Sequence, residues 1–219
     1  MTDRPIIFSG PMIRALLSSR KTQTRRIIKG APDGACWHCD PVEGGWRWVA
    51  DGGAPSMPVK LPWQVGDRLW VREAWRPSYS AEGWREDLGR VARPIDFDPK
   101  TTAIEYLADD EHELNGKNRP GIHMPRWASR MFLTVTERRV QRLQEISETD
   151  AKAEGVSRPF GICDDDGTTF VDGYGSLWEE IHGLDSWDLN PWVCALTFTV
   201  EHRNIDADPP PATTNDRRG

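Results

Sequence analysis

The most informative segment of the chain is Arg20-Lys21-Thr22-Gln23-Thr24-Arg25-Arg26. It directly follows residues 11–19, where a proline near the start and apolar residues at helical spacing predict a short amphipathic helix. Within the segment, the alternation of Thr22, Thr24 and Arg26 predicts an extended chain with one polar face. Two isoleucines come next. The sequence therefore predicts a junction between a helix and a strand that is rich in basic and hydroxyl side chains.

The basic character of this region contrasts with the charge of the whole chain. The formal net charge is −6 at pH 7, so strong non-specific binding to a polyanion is not expected. Between Asp3 and Asp33, however, there is no acidic residue. The basic residues in this interval are Arg4, Arg14, Arg20, Lys21, Arg25, Arg26 and Lys29. Such a local charge suits a nucleoside or a short single-stranded nucleic acid better than a long duplex, although it fits a solvated basic face equally well.

Composition is typical of a soluble protein. The 219 residues are 37% hydrophobic with a mean hydropathy of −0.63, and no apolar run is long enough to span a membrane. The first residues lack the apolar stretch of a signal peptide, so we expect a cytoplasmic monomer with no membrane partner. Tryptophan is unusually frequent, with 11 residues, and one or two of these rings can serve as a platform for an unpaired base.

The cysteines indicate neither a disulfide framework nor a metal centre. Cys36 and Cys39 form a C-x-x-C pair, whereas Cys163 and Cys194 stand alone. A structural zinc site usually needs a second ligand pair at comparable spacing, and the sequence has none. We interpret Cys36 and Cys39 as two thiols in a loop rich in glycine and proline, and we expect no metal and no cofactor.

The distribution of elements predicts an α+β fold with a small mixed β-barrel, and one domain over residues 1–203. Predicted strands lie at residues 6–8, 46–49, 68–75, 101–107, 131–140 and 191–200. Two further helices are predicted at residues 147–155 and 176–182. Long loop insertions are predicted at about residues 30–62, 76–121 and 157–173. The polar, proline-rich end, residues 204–219, is predicted to be a disordered tail.

Three motifs of the chain resemble those of the ASCH family, which belongs to the PUA-like barrels. Residues 20–25 are similar to the family signature G-R-K-T-x-T-x-R, with Ser19 at the position where glycine is usual. Residues 66–71 look like its G-D-x-L-x-V strand entry, and residues 147–155 look like its short S-E-E-D-A-x-A-E-G helix. The motifs occur in the family's order, which makes their combination fairly specific for the fold.

The resemblance extends over most of the chain. Residues 122–130 and 190–193 are similar to segments of longer, phage-type members of the family, and the motifs together span roughly residues 6–200. The resemblance implies a PUA-like barrel with short flanking helices, enlarged by the three insertions. It also implies a cleft that binds a nucleotide base.

A candidate chemistry follows from the same resemblance. Small bacterial ASCH proteins include amidohydrolases that remove the acetyl group from N4-acetylcytidine. Their catalytic lysine, threonine and glutamate match Lys21, Thr24 and Glu154 of this chain. In the mechanism proposed for the family, the lysine acts as base, the threonine as nucleophile and the glutamate as proton donor.

These residue types suit the three roles under definite conditions. The Thr24 hydroxyl needs a neighbouring base before it can attack. Lys21 can be that base only if burial or the neighbouring arginines lower its pKa. It also reaches Thr24 only if the chain turns, because the two side chains lie on opposite faces of an extended segment. Glu154 ends a predicted helix, where the dipole disfavours a carboxylate and so suits a proton donor.

Further residues are predicted to bind the substrate beside this catalytic set. They are Arg20, Arg25, Arg26, Glu73, His123, Arg126 and Trp75. Glu73 is also an alternative to Glu154 as the acid, and His123 an alternative acid or base. Structural roles remain open for the catalytic set as well: Lys21 as a phosphate contact, Thr24 as an ordinary strand residue, and Glu154 as a salt-bridge partner of an arginine.

Three functions are therefore compatible with the sequence. An amidohydrolase acting on N4-acetylcytidine-like substrates is favoured by the complete set of Lys21, Thr24 and Glu154. A non-catalytic module that binds RNA or a modified base is the alternative, favoured by the basic segment and by the tryptophan content. A ribonuclease acting on single strands through the same cleft is the second alternative.

Overall fold

The described part of the chain combines three helices with three β-sheets. The structure, a computed structural model, describes residues 2–29, 36–39, 46–49, 57–59, 61–77, 103–109, 118–156 and 169–207. The helices are α1 (Gly10–Leu17), α2 (Glu148–Ala153) and α3 (Phe170–His182). The strands are β1 (Asp3–Ile7), β2 (Gln23–Ile27), β3 (Cys36–Cys39), β4 (Trp46–Val49), β5 (Met57–Val59), β6 (Arg68–Arg72), β7 (Trp75–Pro77), β8 (Ile104–Tyr106), β9 (Phe132–Arg142) and β10 (Trp192–Glu201). This arrangement confirms the predicted α+β class.

The largest sheet has five strands in the order β1-β6-β9-β10-β2. β1 runs parallel to β6, and the other neighbouring pairs are antiparallel. The longest strands lie next to each other: β9 has 11 residues, and β10, which has 10, pairs with both β9 and β2. The other two sheets are β3-β4-β5 and β7-β8. β10 therefore holds β2, with its basic motif, against the rest of the fold.

The five-stranded sheet is open, with β1 and β2 as its edges among the described strands. Side chains nevertheless bring the two edges together. Arg26 Nη2 in β2 donates to the carbonyl oxygen of Ile7 at the end of β1, at 2.7 Å. The predicted closed barrel is therefore not observed in the described residues: β1 and β2 are joined by this arginine contact and not by a backbone ladder.

The main core lies between α1 and the large sheet. Ile13 and Leu16 of α1 are fully buried there, in one cluster with Leu69 of β6 and Leu196 of β10. Burial of each such side chain contributes about 1.5–3 kcal/mol to folding. The sequence predicted Met12 on the buried face, but Met12 is only partly buried and Ile13 fills the core. This rotation leaves Met12 available to a neighbouring cavity.

A second core cluster attaches α2 and α3 to the end of β10. Its buried members are Leu143, Ile146, Ala151, Tyr174, Trp178 and Val193. The N-terminal end of α3 is fixed by a reciprocal cap, in which Thr169 accepts from the Asp172 amide while Asp172 accepts from the Thr169 amide. The helix therefore begins at Phe170, six residues before the predicted start. The prediction missed this start because the capping residues lie in a segment, residues 157–173, that was predicted to be an insertion loop.

Two other predicted segments are more regular than the sequence indicated. The insertion at 30–62 contains β3, β4 and β5, so the Cys36–Cys39 segment forms a strand and not the predicted loop. At the other end, residues 204–207 pack on the fold: Ile205 is 2% exposed, and Asn204 Nδ2 donates to the backbone oxygens of Arg126, Trp127 and Ser129. Of the predicted tail, residues 208–219 lie outside the described residues, as do 157–168 of the third insertion.

Gly155, which follows α2, occupies a position that alanine cannot take without strain. Its φ is +83°, and an added Cβ would lie 2.8 Å from Ala15 Cβ and 2.9 Å from Lys21 Cβ. We expect Gly155→Ala to lower the free energy of unfolding by about 2–4 kcal/mol, because left-handed backbone and overpacking both cost energy. Urea denaturation measures the loss. Gly66→Ala is the matched control, since Gly66 has a φ of +88° but no atom within 4 Å of its added Cβ. Equal losses in the two variants would contradict the close packing around Gly155.

Candidate functional site

A buried ion pair joins the start of the basic motif to the end of α2. Lys21 Nζ donates to Glu154 Oε2 at 2.7 Å and to the Glu154 carbonyl oxygen at 2.9 Å. The two side chains are 0% and 2% exposed. The backbones of the same residues form an isolated antiparallel bridge. The residues predicted to act as base and proton donor are therefore direct partners, although 133 positions separate them in the sequence.

Arg25 extends this pair into a buried charged network. Its Nη1 donates to Glu154 Oε1 and its Nη2 to Asp150 Oδ2, both at 2.9 Å. Asp150 also accepts from Gln23 and from Arg139. The carboxylates of Glu154 and Asp150 thus each have several charged or amide partners. Buried carboxylates need such partners because burial removes their hydrogen bonds to water. Arg25 was predicted to bind substrate, but the side-chain hydrogen bonds that it makes within the described residues go to Gln23, Glu154 and Asp150 of the internal network.

The short helix α2 contributes to the site at both ends. Ser147 caps its start and accepts from the Asp150 amide at 3.1 Å, as the sequence predicts. The Asp150 carboxylate does not return to the cap, because it is engaged by the arginines of β2 and β9. Glu154 is the last residue of the helix turn before Gly155. Asp150 therefore fits a helix-capping pattern in the sequence, although in the structure its carboxylate belongs to the charged network.

The electrostatic environment of Lys21 favours its neutral form relative to a lysine in water. Burial is the largest cause that lowers the pKa of Lys21, and the charge and hydrogen bond of Glu154 oppose it. Arg26 and Arg25 lower the pKa further. Arg20, which was also predicted to contribute, is exposed and is not among the causes. A lysine with a lowered pKa meets the first requirement for a general base.

A cavity of about 320 Å³ opens beside the network, within the size range of ligand pockets. We call it the aromatic cavity. Its wall includes Thr24 and Glu154, whereas Lys21 does not line it. Its lining includes Phe8, Met12, Thr24, Arg26, Glu154, Tyr174, Leu177, Trp178 and His182. A mostly apolar enclosure with a few polar groups is the usual composition of a site for a small organic ligand.

Thr24 and Lys21 are brought near the same carboxylate but not into contact with each other. Thr24 is 2% exposed and lies on the cavity wall. In the part of the chain that the structure describes, no hydrogen bond joins Lys21 to Thr24, and Lys21 Nζ is directed to Glu154 instead. Lys21 is instead paired with Glu154 through both its side chain and its backbone.

The helix α3 forms a wall of the cavity that the sequence did not identify. Trp178 and His182 stack with ring centroids 4.1 Å apart, and Tyr174 is buried close to Arg25. Burial and the charge of Arg26 lower the pKa of His182, so its imidazole is neutral at pH 7. The sequence predicted a helix at residues 176–182, but none of its residues was predicted to bind substrate. The spacing of its apolar residues could not reveal that one side of the helix borders a polar network.

Four of the predicted substrate-binding residues lie away from the aromatic cavity. Trp75 is completely buried among Met124 and Ala128, so it is a core residue and not a base platform. Glu73 is 1% exposed and binds Arg130 at 2.9 Å, with burial raising its pKa.

The other two, His123 and Arg126, lie in short 3-10 turns between β8 and β9. His123 is exposed, and Arg126 pairs with Asp3 and Asp206 at 2.6 Å. These partners tie the end of the described chain to β1. Proline and glycine near these residues therefore indicate structural turns and not a functional loop.

Arg20 lines a different cavity of about 450 Å³, which we call the second cavity. It lies between α1 and α3 and shares Met12, Glu154 and Leu177 with the aromatic cavity. Arg20 Nη1 donates to the Gly155 carbonyl oxygen at 3.3 Å. Of the predicted binding residues, Arg25 and Arg26 therefore line the aromatic cavity, and Arg20 lines the neighbouring one.

Metal binding, membrane insertion and similarity to known proteins each give a negative finding. Among the described residues, no group of three or more His, Cys, Asp and Glu side chains is placed to hold a metal ion. The side chains of Cys36 and Cys39 lie outside the described part of the chain. In the same part, no helix has the length and apolarity needed to cross a membrane. Comparison of the chain with protein-family models, with curated proteins and with solved structures gives no match.

Proposed function

We propose that the protein is an amidohydrolase that removes an acyl group from N4-acetylcytidine or a similar N-acylated pyrimidine nucleoside. The observation that carries this proposal is the buried Lys21–Glu154 pair beside a hydroxyl-bearing residue, Thr24, on the wall of a mostly apolar cavity. An amide is hydrolysed when a nucleophile, a base and a proton donor act on it together, and these three residues supply one group each.

Acylation of Thr24 is the first half of the proposed reaction. It starts when the Lys21 ammonium passes a proton to Glu154 across their hydrogen bond of 2.7 Å, which leaves Lys21 neutral and Glu154 protonated. Lys21 exchanges its bond to the Glu154 carbonyl for one to the Thr24 hydroxyl and takes its proton. The Thr24 oxygen bonds to the acyl carbon, the C–N4 bond breaks, and Glu154 gives its proton to the departing N4 amine. Cytidine leaves, and the pair is left as ammonium and carboxylate.

Hydrolysis of the acyl-threonine restores the enzyme. The Glu154 carboxylate takes a proton from water, and the hydroxide oxygen bonds to the acyl carbon. The ester bond breaks, and Lys21 returns its proton to the Thr24 oxygen. The acid leaves and Lys21 and Glu154 are again neutral. The hydrogen bond of 2.7 Å between Lys21 and Glu154 allows the proton to redistribute within the pair between turnovers.

The aromatic cavity is proposed to hold the base, with its exocyclic N4 toward Thr24 and Glu154. The stacked rings of Trp178 and His182 supply the aromatic surface that an unpaired base requires. The same assignment includes a PUA-like, ASCH-type relationship for the five-stranded sheet, with α1 and α2 as its flanking helices. A cytoplasmic monomer that acts on a nucleoside or a short strand is part of this proposal.

The direct test compares the wild type with Thr24→Val in an N4-acetylcytidine assay that follows cytidine by chromatography. We expect kcat to fall by roughly 10²-fold or more in the variant, because valine fills the same space but has no nucleophile. Thr24 makes no side-chain hydrogen bond within the described residues, so the melting temperature should change little. A variant that retains the wild-type rate would remove Thr24 from the chemistry, and an inactive wild type would reject the amidohydrolase.

A binding module for a modified base in RNA or DNA is the second candidate. Among the described residues, no carboxylate lies within 4 Å of the Arg26 guanidinium, which lines the aromatic cavity. An arginine without an acidic partner is suited to contact a nucleic-acid phosphate or a base oxygen. Affinity for short strands that falls steeply with salt, without turnover of N4-acetylcytidine, would favour this function.

A further inference from the structure

The two cavities are neighbours along one cleft, and Glu154 separates them. The aromatic cavity and the second cavity share Met12 from α1, Leu177 from α3 and Glu154 from the end of α2. Under the proposed function, on which this inference rests, Glu154 gives its proton to N4. The scissile bond therefore lies at the boundary, with the base on one side and the acyl group directed to the other.

The second cavity is much larger than an acetyl group requires. Its volume is about 450 Å³, against about 320 Å³ for the aromatic cavity that is proposed to take the base. Small residues make this space, because Ala15, Gly155, Gly173 and Ser176 line it. A two-carbon acyl group would leave most of it unfilled, and a longer chain gains apolar contact there.

The charges at the second cavity favour an anion. Arg14 lines it, and within the described residues its side chain makes one hydrogen bond, to the Ala108 carbonyl oxygen at 3.3 Å. Within the described ranges, no carboxylate lies within 4 Å of Arg14. Arg20 adds a second guanidinium, and Glu180 is the opposing charge on the α3 side. A guanidinium whose donors are mostly unused matches a carboxylate geometrically.

We propose that the second cavity is the acyl subsite, and that the preferred substrate carries an acyl chain longer than acetyl that ends in a carboxylate. A dicarboxylic monoamide on N4 of cytosine is the simplest member of this class. Its amide lies at Thr24 and Glu154, its methylene groups pass Met12 and Leu177, and its carboxylate meets Arg14. Arg14 is a specificity-determining residue in this arrangement and does not touch the reacting atoms.

The test measures kcat and KM on three cytidines that differ only in the N4 group. N4-Acetylcytidine is the short substrate, N4-pentanoylcytidine is long and neutral, and N4-succinylcytidine is long and anionic. We expect the wild type to favour the succinyl over the pentanoyl substrate by about tenfold in kcat/KM, the effect of one charged hydrogen bond that is partly exposed. Arg14→Gln should abolish this preference through KM, and should lower kcat/KM for the acetyl substrate far less, because the acetyl group does not reach Arg14.

Two further variants make the result specific. Arg4→Gln is the matched control, since Arg4 also donates to a backbone carbonyl oxygen, that of Pro62, and lines neither cavity. It should leave all three substrates unaffected. Ser176→Phe narrows the second cavity from the exposed side of α3, and should slow both long substrates while sparing the acetyl one.

The outcomes separate this inference from the function on which it rests. If no acylated cytidine is hydrolysed, the amidohydrolase and the acyl subsite both fail. If N4-acetylcytidine is hydrolysed but the wild type does not favour the succinyl over the pentanoyl substrate, or Arg14→Gln keeps that preference, only the proposal of the acyl subsite is wrong. A preference for N4-acetylcytidine 5′-monophosphate that Arg14→Gln removes would assign the second cavity to a phosphate and overturn the proposal.

Discussion

Glu154→Gln is expected to lower the free energy of unfolding at neutral pH by about 3–5 kcal/mol. Glutamine has nearly the shape of glutamate, but it leaves Lys21 without a charged partner and weakens the bond from Arg25, which keeps Asp150. A buried charge that loses its counterion keeps its desolvation cost without the compensating attraction. Urea denaturation followed by tryptophan fluorescence measures the loss.

The matched control for this variant is Glu137→Gln. Glu137 also pairs with an arginine, but at 3.5 Å and with its side chain 57% exposed, so its loss should cost about 0–1 kcal/mol. Similar stability of the two variants would show that the Lys21–Glu154 pair is solvated and would contradict its burial. Turnover of N4-acetylcytidine should also disappear in Glu154→Gln, because the amide cannot donate the proton to N4.

The pH dependence gives an independent check on the same variant. In the folded state the pKa of Lys21 is lowered, so the unfolded chain binds this proton more tightly. Stability therefore increases with pH between the folded and the unfolded pKa of this lysine. Glu154 raises the pKa of Lys21 in the folded state, so replacing Glu154 lowers that pKa and widens the interval. The stability deficit of Glu154→Gln should accordingly shrink as the pH rises from neutral toward about 10.

Lys21→Met is expected to reduce kcat for N4-acetylcytidine by about 10²–10⁴-fold while the protein stays folded. Methionine preserves much of the length of the buried chain but cannot accept the Thr24 proton. Glu154 keeps its bond to Arg25 at 2.9 Å, so its charge remains paired and the stability should change by less than about 2 kcal/mol. Steady-state kinetics and thermal melting measure the two effects.

Lys152→Met separates this effect from general loss of charge. Lys152 lies on α2, two residues before Glu154, and is exposed, so the variant should keep the wild-type kcat. If Lys21→Met also retained full turnover, Lys21 would be a structural partner of Glu154 and not the base. If it were inactive because it had unfolded, the melting curve would identify that outcome, and Lys21→Gln, which keeps a hydrogen bond to Glu154, would replace it.

Local sequence motifs singled out residues that the structure places in the buried network or on the wall of the aromatic cavity. Thr24 and Arg25 lie in β2, Lys21 lies two residues before that strand begins, and Glu154 is the C-cap of α2, whose N-cap is Ser147. A short polar strand beside a helix and a helix cap are both set by residues close together in the sequence, so the sequence alone predicts them. The structure brings Lys21 and Glu154 into contact, which the sequence indicated only through resemblance.

Features set by distant contacts were not accessible in the same way. Trp75 and Glu73 follow the strand β6, and the sequence predicted both to bind substrate. In the structure, however, Trp75 packs against Met124, and Glu73 forms an ion pair with Arg130. Conversely, Trp178 belongs to an apolar stripe that is indistinguishable from a core stripe until α3 is placed over β2. Burial of a side chain is a property of the whole fold, and spacing along one element does not determine it.

The position of β2 at the edge of the large sheet also has a kinetic consequence. Its register places Thr24 opposite Leu196, so the strand that carries the candidate nucleophile pairs with a strand that comes much later in the sequence. Closing a long loop costs entropy before the contacts that it brings together can compensate for it, so pairings of large sequence separation slow folding. We therefore expect β2 to reach its final position only after β10 has formed.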